Sequence, residues 1–133
     1  MTHPNWTARA ASAAAATAMV ALLGAQQPTI QRTILQRGDL SMAGREAVTA
    51  NVEIPPGASA GRHTHPGEEV GYMLEGAILL EIDGQPAATR KAGETFLIPA
   101  GKIHNATNRG TATARVLATY IVEKGKTLVN PVP

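Results

Sequence analysis

Hydrophobic and polar side chains alternate in short runs from Gln26 to the end of the chain, and glycine, proline and asparagine separate the runs. Between residues 48 and 54 every second side chain is apolar, which is the period of a β-strand with one buried face. No stretch of useful length shows the hydrophobic period of an amphipathic helix. The chain after residue 25 is therefore predicted to consist of strands.

About eight short strands are predicted in this part of the chain. The runs that define seven of them cover residues 30–36, 48–54, 70–74, 78–82, 95–98, 104–107 and 112–123. Asp83-Gly84 is typical of a hairpin turn, residues 90–93 are predicted to form a second turn, and residues 124–133 a tail that lies over a surface. Short, evenly spaced strands favour an antiparallel sandwich or barrel, so the predicted fold class is all-β.

The composition fits one domain with an aliphatic core. The chain has 133 residues, of which 44% are hydrophobic, but it holds only one Phe, one Trp and two Tyr. The formal net charge of +2 comes from interspersed acids and bases, so the sequence offers no basic patch that would favour nucleic acid. Cysteine is absent, which excludes disulfides, zinc-thiolate sites and a cysteine nucleophile.

Residues 1–25 differ in character from the rest of the chain. Arg9 is their only charged side chain, and an apolar, alanine-rich run follows it up to Ala25. This pattern predicts a secretory signal peptide that is removed after Ala25, which leaves a single domain over residues 26–133 and places the protein in the periplasm or outside the cell. An amphipathic or anchoring helix is the alternative interpretation. The run is short for a membrane span.

The candidate chemistry lies in His63, His65, Glu69 and His104. Successive side chains of a strand point to opposite faces, so His63 and His65 should point the same way, and Glu69, at an even offset, can join them. His104, from a later strand, can add a third imidazole. Such a set suits a divalent first-row metal such as Fe, Mn, Ni, Cu, Co or Zn. About two positions on an octahedral ion would stay open for water, substrate or dioxygen. A surface pair of histidines is the alternative.

Strand parity also predicts which neighbouring side chains point towards the site and which point to solvent. Glu68 has the opposite parity to His65 and is predicted to be a solvated surface charge. Gly71 and Met73 share the parity of Glu69, so both are expected to line the pocket, with Gly71 leaving room for a ligand. Arg62 could meet an anionic substrate, although a surface position is favoured. No catalytic acid or base can be assigned from the sequence.

Two motifs in the chain resemble those of the cupin superfamily. Every position of the first, G-x5-H-x-H-x3,4-E-x6-G, is matched by Gly57, His63, His65, Glu69 and Gly76. Every position of the second, G-x5-P-x-G-x2-H-x3-N, is matched by Gly93, Pro99, Gly101, His104 and Asn108. Sixteen residues separate the motifs, which together span about half of the chain after residue 25.

The resemblance implies a small single-domain cupin, similar to the quercetin-dioxygenase-like group, with a jelly-roll β-barrel. It implies that His63, His65, Glu69 and His104 bind the metal inside the barrel. Small cupins of this kind are often homodimers, and residues 30–36 and the tail from Thr127 are the expected contacts. No nucleic acid and, after removal of the signal peptide, no membrane is expected as a partner.

The resemblance leaves three functions open, because unrelated activities share one fold. The first is a metal-dependent dioxygenase acting on a small organic molecule. The second is a metal-dependent isomerase or decarboxylase, which needs no oxygen. The third is a non-catalytic barrel that binds a metal or a small molecule.

Overall fold

The computed structural model describes residues 26–133, so the predicted signal peptide lies outside the described residues. Ten β-strands and no helix occur between residues 26 and 133. Their bounds are β1 Gln31–Asp39, β2 Arg45–Ile54, β3 His63–Thr64, β4 Gly67–Glu75, β5 Ala77–Ile82, β6 Ala88–Lys91, β7 Thr95–Ile98, β8 His104–Thr107, β9 Ala114–Glu123 and β10 Asn130–Pro131. The all-β prediction is confirmed, and this part of the chain contains no helix that could span a membrane.

The strands form two five-stranded antiparallel sheets. One has the order β1-β2-β9-β4-β7, and the other has the order β10-β3-β8-β5-β6. In β2 and β9 every second side chain is buried, as the alternation in the sequence requires. The buried aliphatic side chains of both sheets, joined by Met73, Phe96 and Tyr120, form one core between them.

Three short strands were not predicted from the sequence, and one predicted turn is partly a strand. Arg90 and Lys91 were expected in a turn, but they belong to β6, which pairs with β5. The strand was not predicted because three consecutive residues of its four are polar and the fourth is alanine, which leaves no alternation to detect. β3 and β10 have two residues each and pair with each other. Strands of two residues are too short to show a hydrophobic period in the sequence.

The motif residue Asn108 closes the loop after β8. Its buried side chain donates hydrogen bonds to the carbonyl oxygens of Ile54 and Ala112, at 2.7 and 2.8 Å, and accepts one from the amide of Gly110 at 2.8 Å. Its role is structural, as expected for a turn former. The motif glycines, Gly57, Gly76, Gly93 and Gly101, all have positive φ, which agrees with their predicted role in tight turns.

We expect Asn108→Ala to destabilise the barrel. It leaves two carbonyl groups and one amide without their partner, at a cost of about 2–4 kcal/mol in the free energy of unfolding. Urea unfolding of the purified protein measures this difference. Asn51→Ala is the matched control, because Asn51 lies on the outer face of β2 and its side chain makes no hydrogen bond within the described structure; it should change the free energy by about 0.5 kcal/mol or less. Equal effects of the two changes would contradict the role assigned to Asn108.

Candidate metal centre

The three histidines and Glu69 converge between the two sheets. His63 in β3 and His104 in β8 are cross-strand neighbours in one sheet, whereas Glu69 belongs to β4 in the other. His65 lies in the link between β3 and β4. All four side chains are buried, and each imidazole offers a nitrogen within 4.8 Å of those of the other two. The fold thus brings together the four residues that the sequence singled out.

Each imidazole is oriented by a hydrogen bond from Nδ1 to a backbone carbonyl oxygen. The pairs are His63 with Gly61 at 2.8 Å, His65 with Leu128 at 2.6 Å, and His104 with Lys102 at 2.9 Å. Because a carbonyl oxygen only accepts, Nδ1 carries a proton, and in the neutral imidazole Nε2 keeps its lone pair. This arrangement, in which the outer nitrogen is held by a carbonyl group, is typical of metal-binding histidines.

The carboxylate of Glu69 faces two of these nitrogens. Its Oε2 atom lies 3.0 Å from Nε2 of His65 and 3.4 Å from Nε2 of His104, and Nε2 of His104 is buried without a hydrogen-bond partner. Lone pairs that face one another at this distance repel unless a proton or a cation lies between them. Three imidazole nitrogens and one carboxylate oxygen are a donor set that a divalent transition metal accepts, so the residues present fit such an ion.

Burial and the mutual interaction of these groups favour the protonation states that metal binding needs. Burial lowers the pKa of His63 to about 4, and the neighbouring histidines act in the same direction. Burial by itself would raise the pKa of Glu69, but interactions with His104 and His65 outweigh it and lower the value to about 2. At neutral pH His63 is therefore neutral and Glu69 is ionised, as metal ligands must be.

A small cavity adjoins the four residues. His63, Glu69 and His104 contribute to its wall, and most of the other lining side chains are aliphatic or aromatic. The space open to the centres of water-sized molecules is about 30 Å³, which is room for about two or three water molecules. A ligand that enters without rearrangement of the walls is therefore small.

The structure corrects the roles expected of Gly71 and Met73. Both face inward with Glu69, as their parity predicted, but neither lines the cavity. Gly71 is the cross-strand neighbour of Phe96, and a Cβ at Gly71 would overlap the Phe96 ring. The room over the glycine is therefore filled by Phe96, which forms the cavity wall, whereas Met73 is buried in the core.

Neither Glu68 nor Arg62 points into the cavity, as the sequence favoured. Glu68 alternates with the buried residues of β4 and points to its outer face. Arg62 forms an exposed ion pair with Asp83 at 2.9 Å. The carboxylate next to the histidines is Glu69 and not Glu68, and the cavity lining does not include Arg62.

Three contributors to the site were not predicted from the sequence. The tail was expected to lie over a surface, but the carbonyl group of Leu128 also orients His65. No role at the site was predicted for Tyr120, yet its ring packs edge-on against that of His65 at 4.7 Å between centroids. Arg32 lines the cavity together with Tyr120. Its even spacing from Ile30 in a predicted strand was a signal that could have shown its inward direction.

The comparisons with known proteins agree with this architecture. The cupin domain profile matches residues 50–120. The oxalate-binding protein of Thermotoga maritima is 31% identical over 83 residues, which are 62% of this chain and 68% of that protein. Oxalate oxidase 2 of Hordeum vulgare is 34% identical over 77 residues, which are 52% of this chain but 34% of that protein.

A solved structure shows the same fold. The crystal structure of a cupin-like protein from Thermotoga maritima superimposes with a TM-score of 0.64 and 17% sequence identity, over 77% of this chain and 75% of that one. The likeness at this identity concerns the fold alone, and it agrees with the jelly-roll barrel that the motifs implied. The chain spans about a third of the barley oxidase, so similarity to that enzyme does not extend to the whole protein.

Acid should destabilise the metal-free protein through His63. The folded chain excludes a proton, with a pKa of about 4, that the unfolded chain binds near the ordinary value of 6.5. The free energy of unfolding should therefore fall as the pH decreases from about 6.5 towards 4. In this range His63 makes the unfolded chain bind up to about one proton more than the folded chain, and this difference sets its share of the slope. Urea unfolding across this range should show that slope reduced in His63→Gln and unchanged in Thr64→Ala. An equal slope in His63→Gln would contradict the buried, neutral state of His63.

Proposed function

The chain belongs to the cupin domain family, and on that premise we propose that it is a metal-dependent oxygenase acting on a small organic acid. His63, His65, Glu69 and His104 would bind the metal. The observation that carries the proposal is the convergence of three inward Nε2 lone pairs and the Glu69 carboxylate beside a cavity. When bound, the metal would supply Lewis-acid character and open positions for ligand and dioxygen.

The size of the cavity and two relatives support this ligand class. The relative from Thermotoga maritima is by name an oxalate-binding protein, and the barley relative is an oxalate oxidase. Oxalate has six heavy atoms, which is more than the roughly two or three water molecules that the cavity admits as it stands, so its entry requires some movement of the walls, but less than a larger organic acid would require. A flavonoid is much larger, so the proposed substrate is smaller than the resemblance to the quercetin-dioxygenase-like group suggests.

Backbone carbonyl groups, the cavity wall and Glu69 each have a role in the proposed function. The carbonyl groups of Gly61, Lys102 and Leu128 hold the imidazoles in the orientation that directs Nε2 inward. The aliphatic side chains and Phe96 make most of the cavity wall apolar, and a low local dielectric strengthens the charge interactions beside it. Glu69 neutralises part of the charge of the metal.

A non-catalytic binding barrel is the second candidate, and one observation favours it. Apart from the four metal-site residues, the titratable side chains in the cavity wall are Arg32 and Tyr120. Arginine stays protonated in proteins, and burial raises the pKa of Tyr120 above its usual range. Neither is a general base at neutral pH, so a reaction that needs a protein base is less favoured than binding or direct chemistry at a metal. This observation also weighs against an isomerase.

Metal content tests the shared part of these proposals. His104→Ala should lower the metal bound per chain at least tenfold while the barrel stays folded, because it removes one of three imidazoles. Elemental analysis of protein purified without added metal measures this. Glu68→Ala is the matched control and should bind as much metal as the original chain. Full metal occupancy in His104→Ala would contradict the four-ligand site.

Oxygen uptake then separates the functions. Addition of oxalate and other small organic acids to the Fe(II)- or Mn(II)-loaded protein should consume dioxygen if the protein is an oxygenase. Turnover without oxygen uptake would instead support an isomerase or decarboxylase. Tight binding without turnover would support the binding barrel.

We further propose that the protein is a homodimer whose contact includes β1. This strand lies at the edge of its sheet, where its outer backbone groups are open to pairing. Ile34 and Leu35 are 44% and 58% exposed, next to an irregularity in the pairing with β2. The tail, the other expected contact, pairs with β3 of its own chain through β10.

Leu35→Glu should weaken the dimer at least tenfold, because it places a charge in an apolar contact. Sedimentation equilibrium measures the dissociation constant. Leu97→Glu is the matched control, since Leu97 is also 58% exposed but lies on β7 at the opposite edge of the sheet. A monomeric original chain, or dissociation by the Leu97 change alone, would contradict the assignment of β1.

A further inference from the structure

An arginine side chain lies in the wall of an otherwise mostly apolar cavity. Arg32 in β1 pairs with the buried residue Val52 of β2, and it lines the cavity together with His63, Glu69 and His104. It is the one lysine or arginine side chain in that lining. Arg32 is half-buried, and a charged group removed in part from water is stabilised when its charge is compensated, so the position of this arginine needs an explanation.

Tyr120 holds this arginine in place. The Arg32 Nε–H group donates a hydrogen bond to the Tyr120 hydroxyl oxygen at 3.1 Å, and the guanidinium carbon lies 5.8 Å from the centre of the Tyr120 ring. Tyr120 is itself fixed, because it is buried, packs against His65 and is the cross-strand neighbour of Glu69. The guanidinium group is therefore tied to the same residues that form the candidate metal site.

The sheet provides the space for this contact. Arg32 lies in the cross-strand row of Val52 and Val116, whereas Tyr120 lies four residue pairs further along β9. The inward-facing pair between these two rows consists of the alanines Ala50 and Ala118. Their short side chains leave room for a long side chain to reach across the sheet.

The charge of Arg32 has no carboxylate partner among residues 26–133. The lysine and arginine side chains that form ion pairs in this part of the chain are Arg37, Arg62, Arg115 and Lys124. The hydrogen bond to Tyr120 uses only Nε. The two terminal nitrogens make no hydrogen bond within the described structure, although guanidinium groups bind carboxylates best through paired donors.

We propose that Arg32, positioned by Tyr120, is the anion-binding residue of the cavity and selects a small carboxylate as its ligand. The proposal rests on the proposed function, because it places the ligand between the metal and the guanidinium group. A divalent ion with the one carboxylate of Glu69 leaves one positive charge, and Arg32 adds a second. A small dianion bound in the cavity would balance both charges.

The test compares oxalate with oxamide, its uncharged diamide of similar shape. The metal-loaded protein is titrated with each compound by calorimetry, and the metal content is measured before and after. We expect the original chain to bind oxalate at least tenfold more tightly than oxamide. Arg32→Gln should weaken oxalate binding by about ten- to a hundredfold, the loss of one charge-assisted pair, and leave oxamide binding and the metal content unchanged.

Two further variants separate recognition from structure. Tyr120→Phe keeps the ring but removes the hydroxyl group that orients Arg32, so it should weaken oxalate binding less than Arg32→Gln does, again without effect on oxamide. Arg62→Gln removes a surface arginine near the site and should bind both compounds as the original chain does.

The outcomes that overturn the anion pocket differ from those that overturn the metal site. Oxalate binding in Arg32→Gln equal to that of the original chain would mean that Arg32 serves only the packing of Tyr120. Metal-loaded protein that binds oxalate no more tightly than oxamide would also overturn the anion pocket. A chain that holds no metal would instead contradict the proposed function.

Discussion

Repulsion between buried lone pairs is the constraint on which the candidate site depends. Three imidazoles are turned so that Nε2 points inward, and a carboxylate oxygen lies 3.0 and 3.4 Å from two of these nitrogens. Such groups are stable together only if a proton or a cation lies among them. A divalent metal meets this condition while leaving all three histidines neutral. The remaining features of the barrel either produce this arrangement or follow from it.

The β-architecture produces the arrangement by simple means. Alternation within strands directs His63, Glu69 and His104 inward, and the stacking of two sheets places them on facing walls. Backbone carbonyl groups, which the loops and the tail supply, set the orientation of each ring. Gly71 and Ala118 are small residues in the sheet that contains Glu69. They leave space that is filled by Phe96 and Arg32 of the same sheet. The site is thus held by backbone geometry as much as by side chains.

Much of this was accessible from the sequence, because strand parity and motif spacing are local properties. They predicted an all-β fold, the inward direction of the four site residues and the outward direction of Glu68. They did not predict the role of a residue where that role depends on a contact with another strand. Gly71 looked like room for a ligand because its neighbour Phe96 was unknown, and Arg32 looked like a strand residue because its contact with Tyr120 spans 88 positions. The role of the Leu128 carbonyl has no side-chain signal at all.

The cavity links the metal site to a ligand. Its small volume favours a small ligand, and the guanidinium group in its wall favours negative charge.

X-ray absorption spectroscopy of the metal-loaded protein tests most directly whether three histidines and Glu69 bind one metal. We expect a first shell of nitrogen and oxygen at about 2.0–2.2 Å, with the outer-shell scattering of three imidazole rings. Scattering from one imidazole ring, or from none, would contradict this assignment.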